Sequence, residues 1–281
     1  MIVVREYARL TTVEGYDEAL DIRTIPKSAF KWLLDQQVVH FNKGLPLIHI
    51  DGAHAIKLDS FVGVIRTPCG TQIEILPKTT IRKPDEKEIN KLRNLLVDMI
   101  KVSFKLKPRQ YERADLVLFK YPLPEWLIAM FLEELKILVR KGLRFDYLRT
   151  EEKSKFLRGQ LDITLQLRQP VTKAHIFNIR HDIYSPDRPA NRVLKKALDI
   201  CLKATKEPGN WRIANELQHF LDEVPSSKDT DNDLKLWATD SLMADYHTIK
   251  PWAELIVKQM TPLSQSGHHE GMSLLFPMEY L

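Results

Sequence analysis

"SFVGVIRTPCGTQIEILPK" (residues 60–78) and "PDEKEINKLRNLLVDMIKV" (84–102) lie almost end to end, and the change between them decides the fold. In the first, Val62, Val64, Ile73 and Ile75 alternate with other residues, the period of a strand whose successive side chains point to opposite faces. "TPCG" (67–70) divides the two runs. Its proline has a preset φ and its glycine is free to take positive φ, so a tight turn is expected. In the second stretch Ile89, Leu92, Leu96, Met99 and Val102 recur at helical spacing, and Asp85 with Glu88 has the form of a capping box. The periodicity switches at Pro84.

Outward from that switch, "MIVVREYARL" opens as a strand, "PKSAFKWLLDQQ" (26–37) reads as a short helix with Pro26 in its first turn, and residues 46–78 read as several short strands. On the other side, "PEWLIAMFLEELKILVRKG" (124–142) is a helix without a clean polar face, hence a core helix. Residues 143–148, 160–167 and 174–184 read as strands or extended segments, helices are expected at about 189–204, 210–222 and 250–261, and "PSSKDTDNDLK" (225–235) reads as a polar loop. The expected class is α+β: a small, mostly antiparallel β domain over residues 1–82, then a mainly helical region with a few strands over 84–270.

The 281 residues are ample for two domains, and 44% hydrophobic with 28% charged residues is ordinary for a globular protein. Two cysteines, Cys69 and Cys201, far apart in sequence, fit a reducing compartment. With no basic-apolar leader after Met1, and Trp126 to Leu132 as the longest apolar run, the reading is cytoplasmic with no membrane contact. Charge is uneven. Residues 136–212 hold 18 Lys/Arg against 8 Asp/Glu, whereas residues 213–281 hold 4 against 11. A basic middle suits either a polyanion such as DNA or a solvated surface beside an acidic neighbour.

"SPDRPANRVLKKAL" (185–198) contains a Pro-Asp pair, the opening of a widespread nuclease metal motif whose later strand carries acid-x-Lys. Two carboxylates holding Mg²⁺ and a lysine near the attacking water are what that chemistry needs. Four acid-x-Lys triplets occur, at 85–87, 134–136, 151–153 and 233–235, about as many as the roughly three expected by chance. None lies on a buried apolar strand. Asp187 stands just before Val193, Leu194, Ala197, Leu198 and Cys201 at helical spacing, where a helix cap is expected. Arg188, Asn191 and Arg192 share that helix start and are candidates either for phosphate or partner contact or for pinning the preceding strand. His268-His269-Glu270 reads as a solvated turn, and no phosphate-loop, dinucleotide or zinc-protease motif is present. No metal ligand and no catalytic residue is assigned.

Four segments together resemble the McrC family. They are "SFVGVIRTPCGTQIEILPK" (60–78), "KGLRFDYLRTEEKSKFLRGQLDI" (141–163), "SPDRPANRVLKKAL" (185–198) and "GMSLLFPMEYL" (271–281), in the family's order and spacing. The resemblance implies a subunit of a type IV, methylation-dependent restriction system. Such a subunit binds the hexameric ring of an AAA+ GTPase, McrB, stimulates its hydrolysis, and cuts methylated double-stranded DNA through a C-terminal PD-(D/E)xK domain. It implies that residues 271–281 are a helix opening that nuclease domain. The expected cofactors are GTP on the partner and Mg²⁺ in the nuclease, with none on residues 1–281, which are expected to be non-catalytic by themselves. Arg66, Lys78, Arg158, Arg188, Asn191 and Arg192 are the candidate partner or phosphate contacts. The alternatives are an autonomous DNA-binding or adaptor protein, and an enzyme using Asp187 with Asp233 and Lys235.

Overall fold

A computed structural model describes the chain except for residues 16–19, 42–46, 79–84, 107–121, 238–243 and 264–270. The first part runs β1 (Ile2–Arg5), β2 (Arg9–Thr11), β3 (Ile22–Thr24), α1 (Lys27–Phe41), β4 (Ile48–Ile50), β5 (Ala55–Leu58), β6 (Phe61–Arg66) and β7 (Gln72–Leu76). Then come α2 (Glu86–Ser103), α3 (Leu123–Lys141), β8 (Asp146–Ser154), β9 (Gln160–Leu161), α4 (Ile163–Leu167) and β10 (Phe177–Ser185). The last part is α5 (Pro189–Ala204), α6 (Pro208–Phe220), α7 (Thr230–Leu236), α8 (Ala244–Gln259), β11 (Thr261–Leu263) and β12 (Gly271–Pro277). The class is α+β, as the sequence predicts. The switch at Pro84 and the triplet 268–270 lie outside the described residues.

The central sheet has the order β1-β7-β6-β12-β11, with β1 parallel to β7 and the other neighbours antiparallel. β6 and β7 form the expected hairpin, closed by Thr67 N–H donating to the Thr71 carbonyl, with Gly70 at φ 85°. Residues 271–277 are not the helix that the family resemblance implies. They pair with β6, Leu274 opposite Val64 and Phe276 opposite Val62, so the sheet begun by residues 2–76 is extended by strands from the end of the chain. The physical reason is alternation: Leu274 and Phe276 are both fully buried, two apart, as on one face of a strand.

The two faces of this sheet serve two cores. Val62, Val64, Leu76, Leu274 and Phe276 pack with α2, α3, α5 and α8, where Trp126 and Trp252 meet edge to face with centroids 5.9 Å apart. Val4, Ile65, Ile73 and Ile75 pack with Ala29, Phe30, Trp32 and Leu33 of α1 and with a second sheet, β3-β2-β5-β4. The α2 capping box is complete: the Asp85 carboxylate accepts from Glu88 N–H at 2.7 Å, and Glu88 accepts from Asp85 N–H at 3.1 Å. Helix α3 is buried on nearly every side, as its missing polar face predicts. Two short helices stand where a strand and a loop are expected: α4, capped by Asp162, and α7, capped by Asp229. Among the described residues no helix is long and apolar enough to cross a membrane.

Candidate partner-binding arm

The third sheet, β8-β10-β9, stands apart from both cores. β8 and β10 pair along their whole length, from Asp146 opposite Ser185 to Ser154 opposite Phe177. Polar locks fold α4 and the turn at Val171–Lys173 back onto their far end. Gln166 Oε1 accepts from Asn178 N–H at 2.9 Å and from its side-chain amide at 3.1 Å, and Gln169 Oε1 accepts from the same amide at 2.7 Å. Between residues 146 and 185 only Ile179 is an apolar residue in the buried class. Most of the other large apolar side chains face solvent: Tyr147 is 72% exposed, Phe156 79%, Leu167 81% and Val171 91%. A folded surface with this much exposed apolar area beside exposed Arg149, Lys153, Lys155 and Arg168 is the signature of an interaction site.

Two of the arm's arginines pair within it. Arg180 bridges Glu151 at 2.9 Å and also contacts Asp162, and Arg158 bridges Glu152 at 2.6 Å. Asp162, Asn178 and Arg180 line a cleft of about 200 Å³ together with Glu151 and Lys153.

The root of the arm is fixed by the start of α5. Asn191 is fully buried and donates to the carbonyls of Arg144 and Pro186, each at 2.8 Å, one just before β8 and one just after β10. Its carbonyl oxygen accepts from the Tyr246 hydroxyl at 2.7 Å, and that hydroxyl accepts from Arg144 N–H at 2.9 Å. Arg188 bridges Asp146 at 3.3 Å.

Asp187 is not the cap of α5. Arg188 holds the cap position, without a side-chain cap bond, and Asp187 instead accepts from Arg192 at 2.8 Å. Arg192 reaches on to the buried Asp233 at 2.6 and 3.1 Å, and Ser227 donates to the same carboxylate at 2.6 Å. The Arg192 hydrogen bonds hold the Asp233 carboxyl below its ordinary range, and those of Asp233 raise the guanidinium. The structure thus brings Asp187 and Asp233 together, but around a guanidinium that fills the place a metal ion would need. Lys235 lies two residues along α7 from Asp233, so the two side chains leave that helix in opposed directions. Among the described residues no group of three metal-ligating side chains is found.

Of the six candidate contact residues, Arg188, Asn191 and Arg192 are at the arm's root and Arg158 is on the arm. Arg66 donates to the Ala204 carbonyl at 3.2 Å, at the other end of α5, about 22 Å from its start. Lys78 donates its N–H to Glu6 at 2.7 Å and rests its ammonium 5.6 Å from the Tyr7 ring centroid. The six do not form one patch. The exposed apolar residues of the arm escaped the sequence reading because apolar alternation, as in Ile163, Leu165 and Leu167, looks the same whether the face is buried by the fold or left for a partner.

A family model, described as McrBC 5-methylcytosine restriction system component, matches residues 56–281. The chain belongs to this family. Two solved structures resemble it, each with a TM-score of 0.66 and with 99% of the present chain covered. One, at 18% identity, is from the cryo-EM structure of the Thermococcus gammatolerans McrBC complex, and 83% of that chain is covered. The other, at 19% identity, is from a refined half-complex of a tetradecameric assembly of Thermococcus gammatolerans McrB AAA+ hexamers with bound McrC; there the coverage is 66%. A search of curated proteins returned no match.

The segments that carry the McrBC resemblance have physical roles here. Gly63 of "FVG" has φ 131°, and a Cβ there would sit 2.0 Å from the Leu274 carbonyl oxygen, so this glycine is what lets β12 join the sheet. Gly159 of "LRG" has φ 77°, and a Cβ there would meet the Arg180 carbonyl at 2.5 Å, which would block the β9–β10 pairing. In "PANR", Asn191 and Arg192 build the arm's root.

Proposed function

We propose that this McrBC-family chain is an McrC-type subunit. It binds the ring of an AAA+ GTPase of the McrB type and raises its GTP turnover, within a cytoplasmic, methylation-dependent system that acts on double-stranded DNA. The observation that carries the reading is the family match across residues 56–281. The fold shared along nearly the whole chain with structures of McrB hexamers and bound McrC supports it. Two free thiols, Cys69 and Cys201, fit a reducing compartment. We assign ring contact to the arm, whose apolar side chains have no core of their own. The GTP consumed is the partner's. DNA cleavage with Mg²⁺ is not assigned to Asp187, Asp233 and Lys235, because Arg192 lies between the two carboxylates.

The test is to mix the chain with its cognate GTPase and measure phosphate release. GTP turnover rises with the native chain. It falls back by at least about tenfold when Leu167 and Val171 are both changed to Asp, since two buried charges at an interface cost far more than the 1.4 kcal/mol that a factor of ten represents. Unchanged turnover with the native chain would overturn the activator role. Undiminished stimulation by the double variant would move the contact elsewhere on the chain.

A further inference from the structure

We infer that the aromatic stack at the root of the arm is a binding platform for the unpaired bases of a single-stranded nucleic acid. Phe145, Tyr184 and Tyr147 stand in series on one face of the arm sheet. The rings of Phe145 and Tyr184 are stacked, with 4.9 Å between centroids and 20° between planes, and Tyr147 follows Tyr184 at 5.1 Å. Offset rings at such distances attract one another, and a further flat ring can extend the series. The series is open at its end, since Tyr147 is 72% exposed and Tyr184 59%. Among the described residues neither tyrosine hydroxyl forms a hydrogen bond.

Cations stand beside the rings. Successive side chains of a strand alternate between its faces, so Arg149 and Lys153 share the face of Tyr147. They lie about 7 Å and about 20 Å from it along β8. Both are exposed, and among the described residues neither makes an ion pair. Between them Glu151 is neutralised by Arg180 at 2.9 Å. Asp182 is the register partner of Arg149 but does not bridge to it, so the face keeps an excess of positive charge. The wider field has the same sign, with 18 Lys/Arg against 8 Asp/Glu over residues 136–212. Phosphates meet such cations, and bases of any identity stack on the rings.

The chemistry favours this occupant over a duplex and over a protein. In a duplex the bases are already stacked on one another, and what remains for the arm is the phosphates. The aliphatic neighbours Leu148 and Ile183, opposite each other in the register, belong to the other face of the sheet. The platform therefore offers rings and charges without the aliphatic packing that closes the core of a protein interface. The shared ligand chemistry is an unpaired base with its phosphate, as in single-stranded DNA or RNA. The platform is distinct from Leu167 and Val171, assigned above to ring contact. Those two belong to segments folded back onto the far end of the arm, near Asn178 and its register partner Lys153.

The inference is tested on the full chain without any partner, so it stands or falls separately from the GTPase reading. Fluorescence anisotropy with labelled single strands of about 12 nucleotides, one DNA and one RNA, should give a dissociation constant on the order of 10 µM at about 50 mM salt. The corresponding duplex should bind at least about tenfold more weakly. Tyr147→Leu keeps an apolar side chain and removes the ring, and should weaken single-strand binding at least about fivefold, whereas Tyr147→Phe should stay within about twofold of the native chain. Arg149→Gln should lower the slope of log affinity against log salt by about 0.7, as one lost phosphate contact on a single strand requires. Both positions are exposed, so these variants keep the native fold. Binding of DNA and RNA alike supports the proposal, and a preference for one of them supports it and names the source of the strand. Absence of binding by either strand up to about 300 µM overturns it. So does a duplex bound as tightly as the single strand, which would leave only phosphate contacts. Native-like binding by Tyr147→Leu also overturns it, and would leave the exposed rings to a protein partner.

Discussion

Arg192 shows how a residue chosen for one chemistry is committed to another. Its guanidinium joins Asp187 and Asp233, and Asp233 is buried with Ser227 as its second donor. Removing one member of such a pair leaves the other uncompensated, so Asp233→Asn should lower stability by about 2–4 kcal/mol in urea unfolding at neutral pH. The pH dependence has a definite sign. The Asp233 carboxyl is held below its unfolded value of about 3.9, so its contribution is full above that pH and is lost as the pH falls through the lower folded value. The stability of Asp233→Asn should therefore fall less steeply than that of the native chain on acidification below about pH 4. A parallel fall would show that other carboxylates govern acid unfolding. The sequence located Asn191 and Arg192 at a helix start, where both pinning and phosphate contact were open. It could not show which, because the partners Asp233, Tyr246 and Arg144 lie 41, 55 and 47 positions away.

At the scale of elements, legibility followed periodicity. Helices α2, α3 and α5 were readable because their apolar stripes recur over four turns or more and their starts carry a capping box or proline. The hairpin of β6 and β7 was readable from alternation around a turn. Short segments were not. The two-residue β9 followed by the five-residue α4 presents alternating Ile, Leu and Leu that read as strand, and the seven residues of α7, five of them polar, read as loop. β12 is the instructive case, since four apolar residues suit a strand or a buried helix equally, and only its neighbour decides. That neighbour is β6, whose Gly63 leaves room for the Leu274 carbonyl. Gly63→Ala should force β6 and β12 apart, because the added carbon would lie 2.0 Å from that oxygen, where no side chain can sit. The expected loss is more than about 3 kcal/mol, combining backbone strain with withdrawal of Leu274 and Phe276 from the core. Chemical denaturation measures it. A loss below about 1 kcal/mol would mean that the sheet accommodates the methyl by a local shift, and that β12 is not locked at this point.

The whole molecule is two cores built on the opposite faces of one sheet, with an arm rooted on α5 that belongs to neither. This division makes the arm removable. Asp146 and Ser185 are register partners, so Phe145 and Pro186 end close together, at a distance that two glycines can close. Asn191 bonds to the carbonyls of Arg144 and Pro186, both of which lie outside the excised stretch and keep their anchor. What is lost is the ion pair of Arg188 with Asp146, the hydrogen bond from Asp187 N–H to the Ser185 hydroxyl, the stacking of Phe145 on Tyr184, and one buried apolar side chain, Ile179. A partly exposed ion pair contributes at most about 1 kcal/mol, and the arm's internal bonds vanish together with the groups that make them. Replacing residues 146–185 with Gly-Gly should therefore shift the thermal midpoint by no more than about 5 °C, while stimulation of the partner GTPase disappears. The two readouts separate the possibilities. A fall of more than about 15 °C would show that the arm supports the cores and is not a satellite of them. A stable excised chain that still raises GTP turnover would place the ring contact on the central sheet or on the helices around it.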